Sequence, residues 1–255
     1  MLSCIIGDNR INLLNDKYDN IQLKKWASKN ILICPACGKP YEYCHGKIKI
    51  PYFRHKDKQE CLDIYSESET QEHLQGKKDL YEWLIKQDGV SNVILEGWLP
   101  KTKQRPDIMF IFNGKQHVIE YQCTPISSEY YERHELYKAS GIIDIWICGA
   151  KNYFQEYHKG NGNKRLNILE KETRKYYNTV TRELFFLDKD INIDDKKFNS
   201  EKIDLKRIKN IDLSYSNNSY FKSRRKGWVT EYTYKCNNSF AKYAKIDNFK
   251  LERMK

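Results

Sequence analysis

The chain has 255 residues, 40% hydrophobic and 13% aromatic, enough for one sizeable core or for a core with a small appended module. Its formal net charge of +11 points toward nucleic acid, because lysine and arginine release counterions from phosphates, although lysine-rich solvated surfaces are also common. No apolar run approaches the ~18 residues of a membrane-spanning helix, and MLSCIIGDNR has no basic leader before an apolar segment, so the sequence reads as cytoplasmic.

Eight cysteines fall at 4, 34, 37, 44, 61, 123, 148 and 236, four of them between 34 and 61. Without a secretory signal such a local cluster points to metal before disulfides. Cys34 and Cys37 form a Cys-Pro-Ala-Cys step followed by Gly38, the pattern of a zinc knuckle. His55 and Cys61 complete a Cys₃His set suited to tetrahedral zinc. Cys44 and His45 are spare donors able to replace one member. A closed four-ligand site is structural, and Zn²⁺ would order a stretch too polar to fold by burial alone.

Leu74, Leu80, Trp83, Leu84 and Ile85 recur at helical spacing, and Asp88-Gly89 closes the pattern. Glu69, Glu72 and His73 fall in its first turns. Acids there answer the helix macrodipole; the other reading turns Glu72 or His73 toward an active site.

Strand-like segments follow. The first ends near Glu96, the second is RPDIMFIFN, and Asn113-Gly114 is a hairpin signal leading into the third, KQHVIEYQCT. SSEYYERHELYKASG reads as a helix, with Ser127 or Ser128 as N-cap and Gly141 past its end. The apolar IIDIWICG is a fourth, buried strand. Asp107 opens the second strand. In the third, Glu120 and Gln122 share a face, alternating with Ile119, Tyr121 and Cys123. Asp107 reaches that face if the second strand bends. Two carboxylates and an amide there make a hard-oxygen site, suited to Mg²⁺ or Mn²⁺. The competing reading makes Asp107, Glu120 and Glu96 solvated strand acids.

RPD followed by EYQ on this frame resembles the PD-(D/E)xK nuclease superfamily in a Glu-x-Gln form. CPACGKP, YFRHK, ETQEHLQGK, RPD, IEYQ and RHELY, in that order, resemble the competence protein CoiA-like family over residues 1–150. The resemblance implies an α/β, restriction-endonuclease-like core of helix, three strands, helix and strand over 66–150. A zinc-binding module would precede it over 1–65, and an α+β extension of unassigned role would follow over 151–255. It also implies a metal-dependent DNA nuclease acting in DNA uptake, recombination or defence against foreign DNA, on partners that include single-stranded or branched DNA. Asp107 and Glu120 match the metal-binding acids, and Glu72 and His73 the acidic helix; Glu96 is an additional acid. Arg133 and Tyr137, four apart, resemble a glutamine–tyrosine pair that supports the site, and they read as nucleic-acid-binding residues.

Two positions depart from the family pattern. Gln122 stands where the superfamily has lysine, and an amide orients water without adding charge. Either the metal does most of the activation, or Lys138 or Arg133 moves in, or activity is weak. Tyr52 stands where relatives commonly show histidine, which favours Cys61 as fourth zinc ligand. The runner-up reading is a non-catalytic, zinc-containing DNA-binding module, and a third is a scaffold for other DNA-processing proteins.

The last third is less legible. KGNGNKR at 159–165 reads as a loop, and TVTRELFFLD and WVTEYTYK as strands. FKSRRKG at 221–227 sets Arg224 and Arg225 among Tyr220, Phe221 and Trp228, as a phosphate-tracking surface or as a solvated turn between strands.

Overall fold

The short alternating segments at the start of the chain pair as a hairpin, β1 (Ser3–Ile6) antiparallel to β2 (Asn9–Asn12), turning at Gly7 with φ +56. The structure is a computed structural model that describes residues 1–15, 17–56, 61–63, 65, 69–150, 168–186, 220–225, 228–233, 242–248 and 251. These fall into two units, Met1–Glu120 with Glu132–Ile145, and Tyr121–Tyr131 with Trp146–Lys255.

In the first unit, α1 (Asn20–Ser28) starts at Asp19, whose side chain accepts from the Ile21 amide. It buries Leu23 and Ala27 in a cluster with Cys4, Ile11, Leu32, Tyr41 and Phe53. β3 (Tyr41–Cys44) and β4 (Tyr52–His55) form a second antiparallel hairpin. α2 (Gln71–Leu84) is capped by Thr70, which accepts from the His73 amide. Leu74, Leu80, Trp83 and Leu84 are buried as their spacing predicts. Ile85, expected on the same face, is 48% exposed because the helix has already ended and Ile85 is its cap.

β5 (Val90–Leu95), β6 (Ile108–Phe112) and β7 (Lys115–Gln122) pair antiparallel in sequence order. Asn113 and Gly114 both have positive φ, 48 and 73, as a two-residue hairpin turn requires. β7 is buried on both faces from His117 onward, so its polar residues lie in the interior. α3 (Ser128–Ala139) follows, ending before Gly141 at φ +70, and then β8 (Ile143–Gly149). The element order from α2 to β8 is the helix, three strands, helix and strand of the sequence reading.

In the second unit, the end of β8 runs parallel to β9 (Lys175–Asn178), reached through α4 (Ile168–Thr173). β10 (Glu183–Phe186) pairs antiparallel with β9 and with β13 (Lys242–Lys245). Tyr121 donates to the Tyr177 carbonyl at 3.2 Å. β11 (Tyr220–Arg225) and β12 (Trp228–Thr233) form a hairpin in which Arg225 faces Trp228 and Arg224 faces Val229. Arg224 and Arg225 thus lie at the end of β11. The expected loop at 159–165 lies outside the described residues. Among the described residues, no helix is long and apolar enough to cross a membrane.

Candidate functional site

The knuckle forms because Gly38, at φ +69, lets the chain fold back: its amide donates to the Cys34 carbonyl at 2.9 Å. The β3–β4 hairpin sets His55 opposite Tyr41, and His55 Nε2 lies 3.3 Å from Cys37 Sγ. Cys61 returns so that its Sγ is 3.8 Å from Cys34 Sγ. The ligand atoms of Cys34, Cys37, His55 and Cys61 all lie within 4.8 Å of one another. Tetrahedral zinc with Zn–S near 2.3 Å separates its sulfurs by about 3.8 Å, so the set fits Zn²⁺. Cys44 pairs with Tyr52 at the other end of the hairpin, away from His55 in register. A hydrogen bond with Cys61 pulls the Cys34 thiol far down, helped by Tyr41 and Arg105, while Cys61 is pushed up by the same bond.

The strand registers bring three acids into line. Leu95 pairs with Ile108, and Ile108 with Ile119. One step further along, the Glu96 amide donates to the Asp107 carbonyl at 2.9 Å, and Asp107 comes opposite Glu120. Opposed residues of antiparallel strands share a face, so Glu96, Asp107 and Glu120 form a row across the ends of β5, β6 and β7. All three are buried. No bend in the second strand is needed; the hairpin register alone aligns Asp107 with Glu120.

α2 and the residue just before its cap bring the row's counterparts. Glu69, His73 and Lys77 are spaced by four, one helical face. Lys77 Nζ lies 2.6 Å from Glu69 Oε1 and 3.7 Å from Asp107 Oδ1, and donates a short bond to Glu96 Oε1. His73 Nε2 is 3.1 Å from both Asp107 oxygens, and its Nδ1 is 3.6 Å from Glu69 Oε2. Glu96 Oε2 accepts from the Leu2 and Ser3 amides at 2.8 and 2.9 Å. The Met1 amine is 3.3 Å from Glu69 Oε1. Glu72 stands half-buried in the first turn of α2; the carboxylate that meets Lys77 from this stretch is Glu69.

Burial alone would raise these carboxyls. It is the largest single influence on each, and only several partners together outweigh it, Lys77 with the Met1 amine at Glu69 and Glu96 and His73 with Lys77 at Asp107, so all three lie below the usual range. His73 and Lys77 are raised in return, by Asp107 and by Glu69 respectively, against the cost of burial. Glu120 goes the other way: burial pushes it up to about 7 against the pull of Arg133, and Asp107 adds to the rise.

Arg133 and Tyr137 were expected to meet nucleic acid. Both are buried, and both donate to Glu120 Oε1 from α3. Arg133 Nε also donates to Gln104 Oε1 at 3.2 Å, and its guanidinium lies 5.2 Å from the Tyr65 ring centre. Both side chains are thus turned to the Glu120 carboxylate. Gln122 donates from Nε2 to the Thr124 carbonyl at 2.9 Å. Lys138, the other cation considered, is exposed and pairs with Glu135 at 3.2 Å.

Sequence reasoning names Glu69 only as a residue of the helix's first turns, and misses Lys77 and Gln104. The four-residue spacing of Glu69, His73 and Lys77 was the available signal for Lys77; Gln104, in a loop, had none.

Fold and site define a mixed α/β protein in which a Cys₃His cluster accompanies a nuclease-like domain. Residues 69–218 match the family model described as Competence protein CoiA, nuclease-like domain, and residues 15–63 match that of the Competence protein CoiA N-terminal domain. The chain belongs to the competence protein CoiA family. It is 39% identical over 118 residues to Competence protein CoiA of Bacillus subtilis (strain 168), a stretch covering 46% of this chain and 31% of that relative's length. No solved structure matches it.

Proposed function

We propose that the chain is a divalent-metal-dependent DNA nuclease on a PD-(D/E)xK core, hydrolysing phosphodiester bonds in competence, recombination or defence against foreign DNA. The observation that carries this is the buried row Glu96–Asp107–Glu120. Pure DNA binding has no use for acids beside phosphate, since they repel it.

The donors fit a hard cation such as Mg²⁺ or Mn²⁺. Arg133 and Tyr137 both converge on Glu120 Oε1. Asp107 is oriented by His73. A divalent ion held by Asp107 and Glu120 would supply a polarised phosphoryl oxygen and a bound water of lowered pKa. Arg133 and Tyr137 fix the Glu120 carboxylate, and His73 fixes that of Asp107. Zn²⁺ at the Cys₃His cluster orders the N-terminal hairpins and takes no part in the chemistry.

The second reading, a non-catalytic DNA-binding module, is favoured by one observation: Gln122 brings no charge to the row and bonds the Thr124 carbonyl. The two are separated by incubating single- and double-stranded DNA with wild type, Asp107→Ala and Glu120→Ala in Mg²⁺, Mn²⁺ or EDTA. Cleavage that needs metal and disappears in both variants supports the nuclease. DNA bound but never cut leaves the binding module.

A further inference from the structure

We propose that Lys77 is the fixed cation of the acid row, supplying from α2 the positive charge that the superfamily supplies from the strand position occupied here by Gln122. The proposal rests on the nuclease reading and completes it, because a row of acids facing phosphate needs a cation close by.

The placement is specific. Lys77 is 1% exposed and its ammonium is bracketed by Glu69, Glu96 and Asp107. Burying an ammonium is costly, and replacing a buried ion pair with apolar residues is often neutral or stabilising. Stability alone therefore gives little reason to keep a lysine here. Other cations near the row are committed differently: Arg133 holds Glu120 and Gln104, His73 holds Asp107, the Met1 amine holds Glu69 and the Phe53 carbonyl, and Arg10 donates to the Glu96 backbone carbonyl. Lys138 is on the exposed side of α3.

Lys77 acts through its neighbours and is a positioning residue. By neutralising Glu69 and Glu96 it leaves Asp107 and Glu120 as the acids that face the ion. At 3.7 Å from Asp107 Oδ1, it also offsets negative charge that builds up when a phosphodiester reacts beside the row.

Lys77→Met alone strands two buried carboxylates, Glu69 and Glu96, so the test uses Glu69→Gln/Lys77→Met, which removes the Glu69 pair whole and leaves Glu96 the Leu2 and Ser3 amides, with Glu69→Gln as its reference. Folding is checked by circular dichroism, Mn²⁺ affinity by electron paramagnetic resonance of free Mn²⁺, and cleavage at saturating Mn²⁺ on labelled DNA. Adding Gln122→Lys to the double variant returns a lysine to the strand. The expected result has three parts. Cleavage falls on the order of 100-fold relative to Glu69→Gln. Mn²⁺ affinity stays within about threefold or tightens, since a repelling charge has gone. Gln122→Lys restores about tenfold or more of the lost rate. A merely structural lysine would instead lower cleavage and Mn²⁺ affinity together, with no recovery, and absence of any of the three parts overturns the assignment. Wild type that binds Mn²⁺ and cuts no DNA overturns the nuclease reading itself, and the assignment with it; wild type that cuts while the double variant matches its reference overturns the assignment alone.

Discussion

At the scale of single residues, the balance around Lys77 predicts a pH signature. Glu69, Glu96 and Asp107 are held below their usual range in the fold. A depressed carboxyl contributes stability above its unfolded pKa, near 4, and that contribution is lost as pH falls through the folded value. Lys77→Met removes the main counter-charge of Glu69 and Glu96, so burial dominates and their pKa values rise instead. The variant should lose about 3–5 kcal/mol near neutral pH. Part of that loss should return as pH falls toward about 5, where protonation relieves the stranded acids. Urea midpoints at the two pH values check this; an equal deficit at both would mean the acids are not the cause. Tyr137→Phe makes a smaller change, removing one donor to Glu120, and should cost about 1.5–3 kcal/mol by the same measurement. The acids at Asp107 and Glu120 were legible because carboxylates are out of place among β-branched and aromatic neighbours. Lys77 was not, because a lysine on a helix reads as surface until its partners at the strand ends are known.

At the scale of elements, the turn carries more information than was drawn from it. A two-residue loop at Asn113-Gly114 pairs Phe112 with Lys115, and counting outward sets Asp107 opposite Glu120. The alignment was thus readable from the sequence once the turn was assigned. The approach of Glu96 was not: β5 shifts register between Ser91 and Ile94, and Asn92 and Glu96 take positive φ, irregularities without a period. Gly114→Ala places a side chain at φ +73, a cost of roughly 1–2 kcal/mol. Chemical denaturation measures it, and an unchanged midpoint would show that the turn does not hold the register. The zinc knuckle was the most readable element, since ligand spacing is a local constraint. Its removal makes a separate prediction. A strong chelator should release one Zn²⁺ per chain, counted with a colorimetric dye, and loosen the cluster of Tyr41, Phe53 and Leu32 around it. Intrinsic fluorescence unchanged after release would show that burial alone holds that region.

At the scale of the whole molecule, a net charge of +11 becomes an argument about DNA only through its salt dependence. A surface that neutralises phosphates loses affinity linearly in log salt, with a slope of about −0.9 per contact on duplex and about −0.7 on single strands. A scaffold that recruits other proteins would show no such slope. Catalysis must be silenced first without stripping Zn²⁺, so the measurement uses Asp107→Ala with no added Mg²⁺ or Mn²⁺, titrating labelled DNA across a range of salt. Arg224 and Arg225 are the specific residues to test, because they close β11 and lie among aromatic residues in sequence. If they track the backbone, removing both should weaken binding about equally for every sequence and flatten the slope by about 2, one unit per lost contact. If the slope stays the same, the segment is a solvated turn and the phosphate-binding surface lies elsewhere. A slope near zero in the parent protein would be more consequential, because it would take DNA away as the partner and leave the acid row without a substrate of the proposed kind.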